Sequence, residues 1–165
     1  MATEAGPIRV GILTSSDAGY AGQREDTSGP AIREALGEGY VVSRAALAPD
    51  DEEMLVATLG DWLPDCDVIL TTGGTGLASR DVTPEATLRV LEREAPGIAE
   101  VLRAEGRAKT PFAALSRGVA GIAGRTLIVN LPGSPKAVRE GMQVLLPLLP
   151  HAVRLLRGDT AHEPG

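Results

Sequence analysis

Aromatic side chains are almost absent from this chain, since Phe, Trp and Tyr together make up 2% of its 165 residues. The core must therefore be built from Val, Leu, Ile and Ala, and few rings remain to stack on nucleic-acid bases. Basic residues are also in the minority, and the formal net charge is −6. Because no basic stripe compensates for that charge, we expect no nucleic-acid partner.

Cysteine occurs once, as Cys66, which excludes an intramolecular disulfide and a cysteine-only metal cluster. Its position in an apolar run favours a small buried residue over a nucleophile. No apolar run approaches the ~20 residues that span a bilayer, and the first residues lack the basic and apolar segments of a signal peptide. We therefore expect a cytoplasmic protein without a membrane partner.

The remaining composition is that of a globular protein, with 43% hydrophobic and 23% charged residues. The length predicts one domain with a substantial core, which we assign to residues 8–157, between a lead of residues 1–7 and a polar tail of residues 158–165. Helix-like and strand-like segments alternate, which predicts an α/β domain of three layers.

Five strands are expected, at Ile8–Thr14, Tyr40–Leu47, Cys66–Leu70, Val119–Ile122 and Thr126–Asn130. The polar residues of the second suggest an edge position. The last two flank a three-residue connection, which predicts a hairpin and hence one antiparallel strand in a mostly parallel sheet. Helices are expected from Ala31, from Glu52 to Leu63, from Thr83 and from Ile98 to Ala104. A closing helix that carries Val138 to Leu146 follows, and Pro147 and Pro150 should kink it.

A glycine-rich loop, Thr71-Thr72-Gly73-Gly74-Thr75-Gly76, follows the third predicted strand. Its glycines can take positive φ and approach a ligand closely, and exposed N–H groups near a helix N-terminus suit phosphate. Neither common phosphate fingerprint is matched, because the lysine of Gly-x-x-x-x-Gly-Lys-Ser/Thr and the whole Gly-x-Gly-x-x-Gly pattern are missing. A tight connection that binds nothing is an equal alternative on this motif alone.

The carboxyl ends of parallel strands meet at one edge of a sheet, where ligands bind. Four such ends carry hydroxyls, glycines or acids: Thr14-Ser15, Pro49-Asp50, Gly73 to Asp81 and Asn130 to Lys136. Two acids beside phosphate-binding loops suit Mg²⁺-assisted phosphoryl or nucleotidyl transfer, and Asp50 and Asp81 are the candidates. The alternatives are that Asp50 caps a helix and that Asp81 forms a salt bridge with Arg80.

Taken together, the motifs resemble the molybdenum-cofactor biosynthesis proteins of the MogA/MoaB type, whose domain also occurs in gephyrin and plant Cnx. Four segments carry the resemblance: the glycine loop, Arg80-Asp81-Val82-Thr83-Pro84-Glu85-Ala86-Thr87, Leu115-Ser116-Arg117 and Asn130-Leu131-Pro132-Gly133-Ser134-Pro135-Lys136-Ala137. The resemblance implies a molybdopterin-binding fold and a homotrimer, or else a hexamer. It also implies molybdopterin adenylyltransferase activity, in which Mg-ATP and molybdopterin give adenylyl-molybdopterin and pyrophosphate.

The resemblance also implies roles for individual residues. Asp50 and Asp81 would serve catalysis and hold Mg²⁺, and Ser116 would bind the pterin. With the hydroxyls at the end of the first strand, the expected substrate-binding residues are Thr14, Ser15, Gly73, Gly74, Thr75, Gly76, Ser116, Asn130, Pro132, Gly133 and Ser134.

Two other functions stay open from the sequence. One is a non-catalytic pterin-binding or scaffold protein of the MoaB-like kind, a branch that Asp26-Thr27-Ser28-Gly29 resembles, although Arg80 to Pro84 and Asn130 to Gly133 have the form of the active branch. The other is nucleotide hydrolysis, as in the related domain of the CinA proteins, which carry a further deamidase domain.

Overall fold

The structure is a computed structural model that describes residues 5–160. A six-stranded sheet in the order β2-β1-β3-β6-β5-β4 forms its centre. The strands are β1 (Ile8–Ser15), β2 (Tyr40–Ala48), β3 (Val68–Thr72), β4 (Arg93–Glu94), β5 (Ala120–Ala123) and β6 (Thr126–Leu131). The helices are α1 (Asp17–Tyr20), α2 (Ser28–Ala35), α3 (Glu52–Trp62), α4 (Thr83–Val90), α5 (Pro96–Arg107), α6 (Pro135–Leu145) and α7 (Leu149–Leu156). Most of the predicted lead and tail lies outside the described residues.

The sheet is parallel from β2 through β1 and β3 to β6, while β5 runs against both of its neighbours. This confirms a mostly parallel sheet with one antiparallel strand, and it confirms β2 as an edge. Strand β3 lies two residues later than predicted, because Thr71 and Thr72 pair with Asn130 and Leu131 of β6 rather than belonging to the loop. The two-residue β4 is too short to show a periodic pattern and was not predicted.

Each face of the sheet carries its own layer of helices, as the α/β pattern predicts. Val10, Ile12 and Leu70 point to one face, against buried residues of α2, α6 and α7. Leu13 and Ile69 point to the other face, against α3 and α4. Because successive side chains of a strand alternate between faces, these central strands are buried on both sides.

A glycine in β1 makes room for the single tryptophan. Trp62 is 5% exposed, and a Cβ at Gly11 would lie 2.9 Å from both Trp62 Cε3 and Cys66 Sγ. Cys66 is buried, as predicted, and burial raises the pKa of its thiol. This sulfur is therefore a packing group and not a nucleophile.

Two helical regions differ from their predicted form. Helix α5 runs from Pro96 to Arg107, longer at both ends than predicted. The closing helix is not one kinked helix but two, because α6 ends at Leu145 and α7 begins at Leu149. Pro147 lies in the break, where its missing N–H leaves no hydrogen bond unmade. Within residues 5–160, no helix has the length and apolar character needed to cross a membrane.

Candidate active site

The glycine loop leaves the carboxyl end of β3 and lines a cavity of about 850 Å³. The opposite wall comes from α5, from the segment that follows it and from α6. The predicted site residues in the wall are Gly74, Thr75, Gly76, Asp81, Ser116, Asn130, Pro132, Gly133 and Ser134. Thr14, Ser15, Asp50 and Gly73 do not line the cavity. The contacts described below connect Ser15, Asp50 and Gly73 to residues that do.

The loop backbone requires two of its glycines. Gly73 and Gly74 have φ values of +89° and +68°, a region that L side chains rarely adopt. A Cβ at Gly73 would lie 2.4 Å from the carbonyl oxygen of Ser15, so the end of β1 approaches the loop too closely for a side chain. The loop is thereby held against β1, and Gly73 N also donates to Leu131 O at 3.3 Å.

Three consecutive N–H groups, those of Gly74, Thr75 and Gly76, donate to no acceptor among residues 5–160. Behind them the carbonyls are anchored, because Thr83 N donates to Gly74 O at 3.1 Å and Arg117 N donates to Thr75 O at 2.8 Å. The C=O and N–H of a trans peptide point in opposite directions, so these anchors turn the N–H groups of Thr75 and Gly76 to the other side of the loop. Consecutive free donors of this kind form an anion-binding nest.

Asp81 lies at one end of the nest. Its Oδ2 accepts from Ala78 N at 3.0 Å and would lie 2.8 Å from a Cβ at Gly76, while Oδ1 accepts no hydrogen bond from residues 5–160. Arg80 is not its partner, because the Arg80 guanidinium donates Nε and Nη2 to Asp17, both at 2.9 Å. The salt-bridge alternative for Asp81 is therefore wrong, and its carboxylate can contact a ligand.

Asp50 reaches the other end of the nest through Ser15. Ser15 Oγ donates to Asp50 Oδ1 at 2.6 Å and lies 3.3 Å from the Cβ position of Gly74. The N-cap of α3 is Asp51, which accepts from Met54 N at 2.9 Å. Asp50 is therefore not the cap of α3, although its Oδ2 accepts from the N–H of Asp17, the first residue of α1, at 3.0 Å.

Asp17 connects the two ends of the site, and no pattern in the sequence indicates this link. Asp17 N donates to Asp50 Oδ2 at 3.0 Å, and Asp50 N donates to Asp17 Oδ1 at 2.9 Å. The hydrogen bonds from Arg80, then that from the Asp50 backbone, lower the pKa of Asp17. A charged Asp17 thus holds both the residue before Asp81 and the backbone of Asp50.

Two predicted binding residues use their side-chain donors inside the fold. Thr14 Oγ1 donates to Asp26 Oδ2 at 2.9 Å. Asn130 donates Nδ2 to Thr71 Oγ1 at 2.9 Å and to Thr87 Oγ1 at 3.0 Å. Neither side chain has a donor left for a substrate, so their observed contacts position β1, β3, β6 and the helices behind them.

The segment after β6 forms the second side of the nest. Thr72 Oγ1 donates to Pro132 O at 2.6 Å, and a Cβ at Gly133 would lie 3.4 Å from Gly73 Cα. Ser134 caps α6 by accepting from Ala137 N at 3.1 Å. The N-terminus of α6 therefore faces the same cavity as the glycine loop.

The far wall of the cavity was not predicted. Leu102, Ala113, Leu115 and Val144 give it an apolar area, beside charged residues that include Arg103, Lys109 and Glu140. Phe112, the chain's single phenylalanine, stands 75% exposed within it. These residues belong to α5, α6 and a short 3₁₀ turn at Pro111–Leu115, and no local motif marks them as a site.

Asp50 and Asp81 each have carboxylate oxygens with the chemistry of a Mg²⁺ ligand. Within residues 5–160 no group of three or more His, Cys, Asp or Glu is arranged to hold a metal, but Mg²⁺ needs only one or two carboxylates when substrate phosphates supply other oxygens. Asp81 Oδ1 takes no hydrogen bond from the described part of the chain, and each Asp50 oxygen accepts a single one there. Lone pairs are thus left on both carboxylates.

Fold and site together define a class. A parallel α/β sheet presents a nest of backbone donors, two accessible acids and an apolar cavity wall at the carboxyl edge of its strands, as in enzymes that bind a phosphate-bearing organic ligand. Residues 11–151 match the family described as "Probable molybdopterin binding domain", and the chain belongs to that family. This confirms the resemblance found in the motifs.

Individual relatives agree with the family. The chain is 46% identical over 158 residues to the molybdenum cofactor synthesis protein cinnamon of Drosophila melanogaster, covering 93% of this chain and 26% of that protein; it thus spans about a quarter of cinnamon. A molybdopterin adenylyltransferase of Helicobacter pylori strain J99 is 39% identical over 158 residues, covering 92% of this chain and 89% of that enzyme. Among solved structures, the molybdopterin biosynthesis enzyme MoaB of Thermus thermophilus has a TM-score of 0.86 and 55% identity, covering 92% and 97% of the two chains.

Proposed function

We propose that this chain is a molybdopterin adenylyltransferase, which transfers AMP from Mg-ATP to molybdopterin and releases pyrophosphate. The observation that carries the proposal is the row of free N–H groups from Gly74 to Gly76, flanked by Asp81 at one end and by Asp50, through Ser15, at the other. The relatives named molybdopterin adenylyltransferase support the same reaction.

The chemistry is a displacement at phosphorus. An oxygen of the molybdopterin phosphate bonds to the α-phosphorus of ATP, the bond from that phosphorus to the bridging oxygen breaks, and pyrophosphate leaves with the electron pair. The N–H groups of the nest stabilise the negative charge on the phosphate oxygens, and they are preorganised because their carbonyls are anchored from behind. Asp50 and Asp81 would hold Mg²⁺, which supplies positive charge to the phosphates when bound.

The cavity suits a ligand that combines a phosphate with a ring system. Its volume of about 850 Å³ lies in the range of small-molecule sites, and the apolar wall of Leu102, Leu115 and Val144 can cover a ring. Ser116 Oγ accepts from Gly118 N at 3.3 Å, so its own O–H is left to donate to the pterin.

The test separates transfer from binding. Asp81→Ala and Asp50→Ala should each lower adenylyl transfer at least ~100-fold, a loss of roughly 2.7 kcal/mol in transition-state stabilisation, with molybdopterin binding retained. Asp61→Ala, which removes an exposed aspartate of α3 outside the cavity wall, is the matched control and should transfer at the wild-type rate. Ser116→Ala should show the opposite pattern, with molybdopterin bound about tenfold more weakly.

Two results would contradict the proposal. Folded variants of both acids with wild-type transfer would remove the acids from catalysis. A wild-type chain that binds molybdopterin but forms no pyrophosphate from ATP would be the non-catalytic, scaffold-like protein instead. Gly133→Val, which fills the second side of the nest, should weaken pterin binding in either case.

The proposal extends to assembly and location. A homotrimer, with a hexamer as the next choice, is supported by apolar side chains exposed outside the cavity wall, with Leu77 67% and Leu155 of the closing helix 46% exposed. Light scattering should give three subunits at micromolar concentration, and a monomer would contradict this. A cytoplasmic location remains a prediction from the sequence.

A further inference from the structure

Arg117 donates to two carbonyls of the glycine loop and to the carbonyl of Asp81, yet it does not line the cavity. Its N donates to Thr75 O at 2.8 Å, its Nε to Gly76 O at 2.8 Å and its Nη2 to Asp81 O at 2.6 Å. Its Nη1 pairs with Glu85 of α4. Ser116 and Gly118 on either side of it line the cavity, whereas Arg117 points behind the loop.

The segment that carries Arg117 is itself fixed to α5. Arg103 Nη1 donates to Gly118 O at 2.7 Å and to Ser116 O at 3.4 Å. The guanidinium of Arg117 therefore projects from an anchored backbone towards the loop.

The guanidinium joins the two ends of the loop from Gly76 to Asp81. Inside that loop, Asp81 N donates to Ala78 O at 3.0 Å and Ala78 N donates to Asp81 Oδ2 at 3.0 Å. These bonds close a turn, but they do not fix the turn relative to the nest. Thr83 N to Gly74 O and Arg80 to Asp17 tie the residues on either side of Asp81, and the bonds of Arg117 join Gly76 O and Asp81 O directly.

Holding the Gly76 carbonyl also fixes the direction of the N–H group in the same peptide, which is that of Leu77. Leu77 follows the nest, and its N–H also donates to no acceptor among residues 5–160. Because the C=O and N–H of one peptide point in opposite directions, a flip of this peptide would replace that N–H with the Gly76 carbonyl oxygen beside the nest. A carbonyl there repels phosphate, whereas an N–H attracts it.

We propose that Arg117 is a positioning residue for this site: without touching a ligand, it orients the Gly76–Leu77 peptide and holds the backbone of Asp81 beside the nest. The catalytic part of this inference rests on the proposed adenylyl transfer, but the effect on anion binding does not. Glu85 balances the charge of Arg117, and the hydrogen bond from Arg117 lowers the pKa of Glu85. The ion pair with Glu85 uses Nη1, whereas the bonds to Gly76 O and Asp81 O use Nε and Nη2. A substitution of Glu85 therefore removes the ion pair without removing those two bonds.

The experiment compares Arg117→Ala, Arg117→Lys and Glu85→Gln with the wild type, using inorganic pyrophosphate binding by calorimetry and the kcat and KM of transfer. Arg117→Ala should raise the Kd for pyrophosphate about tenfold, as expected for weakened hydrogen bonds to a charged ligand, and should lower kcat at least about tenfold through Asp81. Added guanidinium ion should restore part of both losses, because it can occupy the position of the missing side chain.

Arg117→Lys should have a pyrophosphate Kd and a kcat between those of the wild type and Arg117→Ala. One ammonium cannot reach both carbonyls in the fork geometry of a guanidinium. Glu85→Gln should keep the wild-type Kd and kcat, and circular dichroism checks that each variant is folded. If Arg117→Ala does not fold, the lysine variant carries the same comparison.

The inference is overturned if folded Arg117 variants keep the wild-type pyrophosphate Kd and kcat, or if Glu85→Gln loses as much as Arg117→Ala. It is overturned as well if the wild type does not bind pyrophosphate. A wild type that binds pyrophosphate but does not transfer AMP contradicts the proposed function alone, and the positioning role is then judged by the Kd values.

Discussion

Gly76→Ala tests the position of Asp81 without straining the backbone. Gly76 is not among the glycines with positive φ, so an alanine fits its backbone conformation. The new Cβ would lie 2.8 Å from Asp81 Oδ2 and 3.7 Å from Asp81 Cγ. Since Cβ atoms do not approach an oxygen within 3.0 Å, the carboxylate must turn away or the loop must shift.

The size of the effect follows from what the carboxylate loses. Turning Oδ2 away removes its hydrogen bond from Ala78 N, which should cost about 0.5–1.5 kcal/mol of unfolding free energy. A displacement on the order of 1 Å in a reacting group can cost up to about 100-fold in rate. We therefore expect Gly76→Ala to lower transfer by about 10- to 100-fold while the protein stays folded.

The assay is pyrophosphate release from ATP in the presence of molybdopterin, alongside urea unfolding. Gly60→Ala in α3 is the control, because nothing lies within 4 Å of its new Cβ, and a helical alanine should add about 0.5–1 kcal/mol of stability. Wild-type turnover in folded Gly76→Ala would refute the reasoning, since it would mean that the Asp81 carboxylate can move without consequence.

Two further predictions concern stability. Burial would raise the pKa of Asp67, but hydrogen bonds from Arg9 and Arg157 outweigh it and lower that pKa. The charged Asp67 should therefore stabilise the fold above pH ~4, and this stabilisation should be lost as pH falls through the depressed pKa. Asp67→Asn should lower the unfolding free energy by about 3 kcal/mol at pH 7. It should also make the unfolding free energy less dependent on pH in the acid range, and an unchanged dependence would contradict the prediction. Gly11→Ala should lower the free energy of unfolding by about 1–3 kcal/mol by overpacking against Trp62, measured from the urea midpoint. An unchanged midpoint would show that Trp62 can move to accept the methyl group without loss of stability.

Strands β1, β2, β5 and β6 all appear within a residue of their expected ends. Turn residues such as Gly39, Pro49 and Gly124 bound their Val-, Ile-, Leu- and Ala-containing runs, which is a signal that the sequence carries locally. Strand β3 was displaced because its last two residues are threonines that also begin a loop motif. Their membership depends on pairing with β6, which no local pattern contains.

The candidate site was predicted as a region but not as a set of contacts. The rule that parallel strands end at one edge predicted one site for Asp50, Asp81 and the glycine loop; in the structure Asp81 and the loop line the cavity, whereas Asp50 connects to it through Ser15. The partners of those groups were not predictable, because Arg80 pairs with Asp17 across 63 positions and Ser15 with Asp50 across 35. Local spacing suggested Arg80–Asp81, and the three-dimensional structure replaced that pair with a distant one.

Trp62 gives this molecule an optical probe of one side only. It is the single tryptophan, and it lies in the α3 and α4 layer. The apolar cluster of the α2, α6 and α7 layer has the partly buried Tyr40 as its one aromatic member among the described residues. Tryptophan fluorescence during unfolding therefore follows the α3 layer, while far-ultraviolet circular dichroism averages the helices of both. Coincident curves from the two signals would mean that the layers separate from the sheet together, and a fluorescence change at lower urea would identify the α3 layer as the first to loosen.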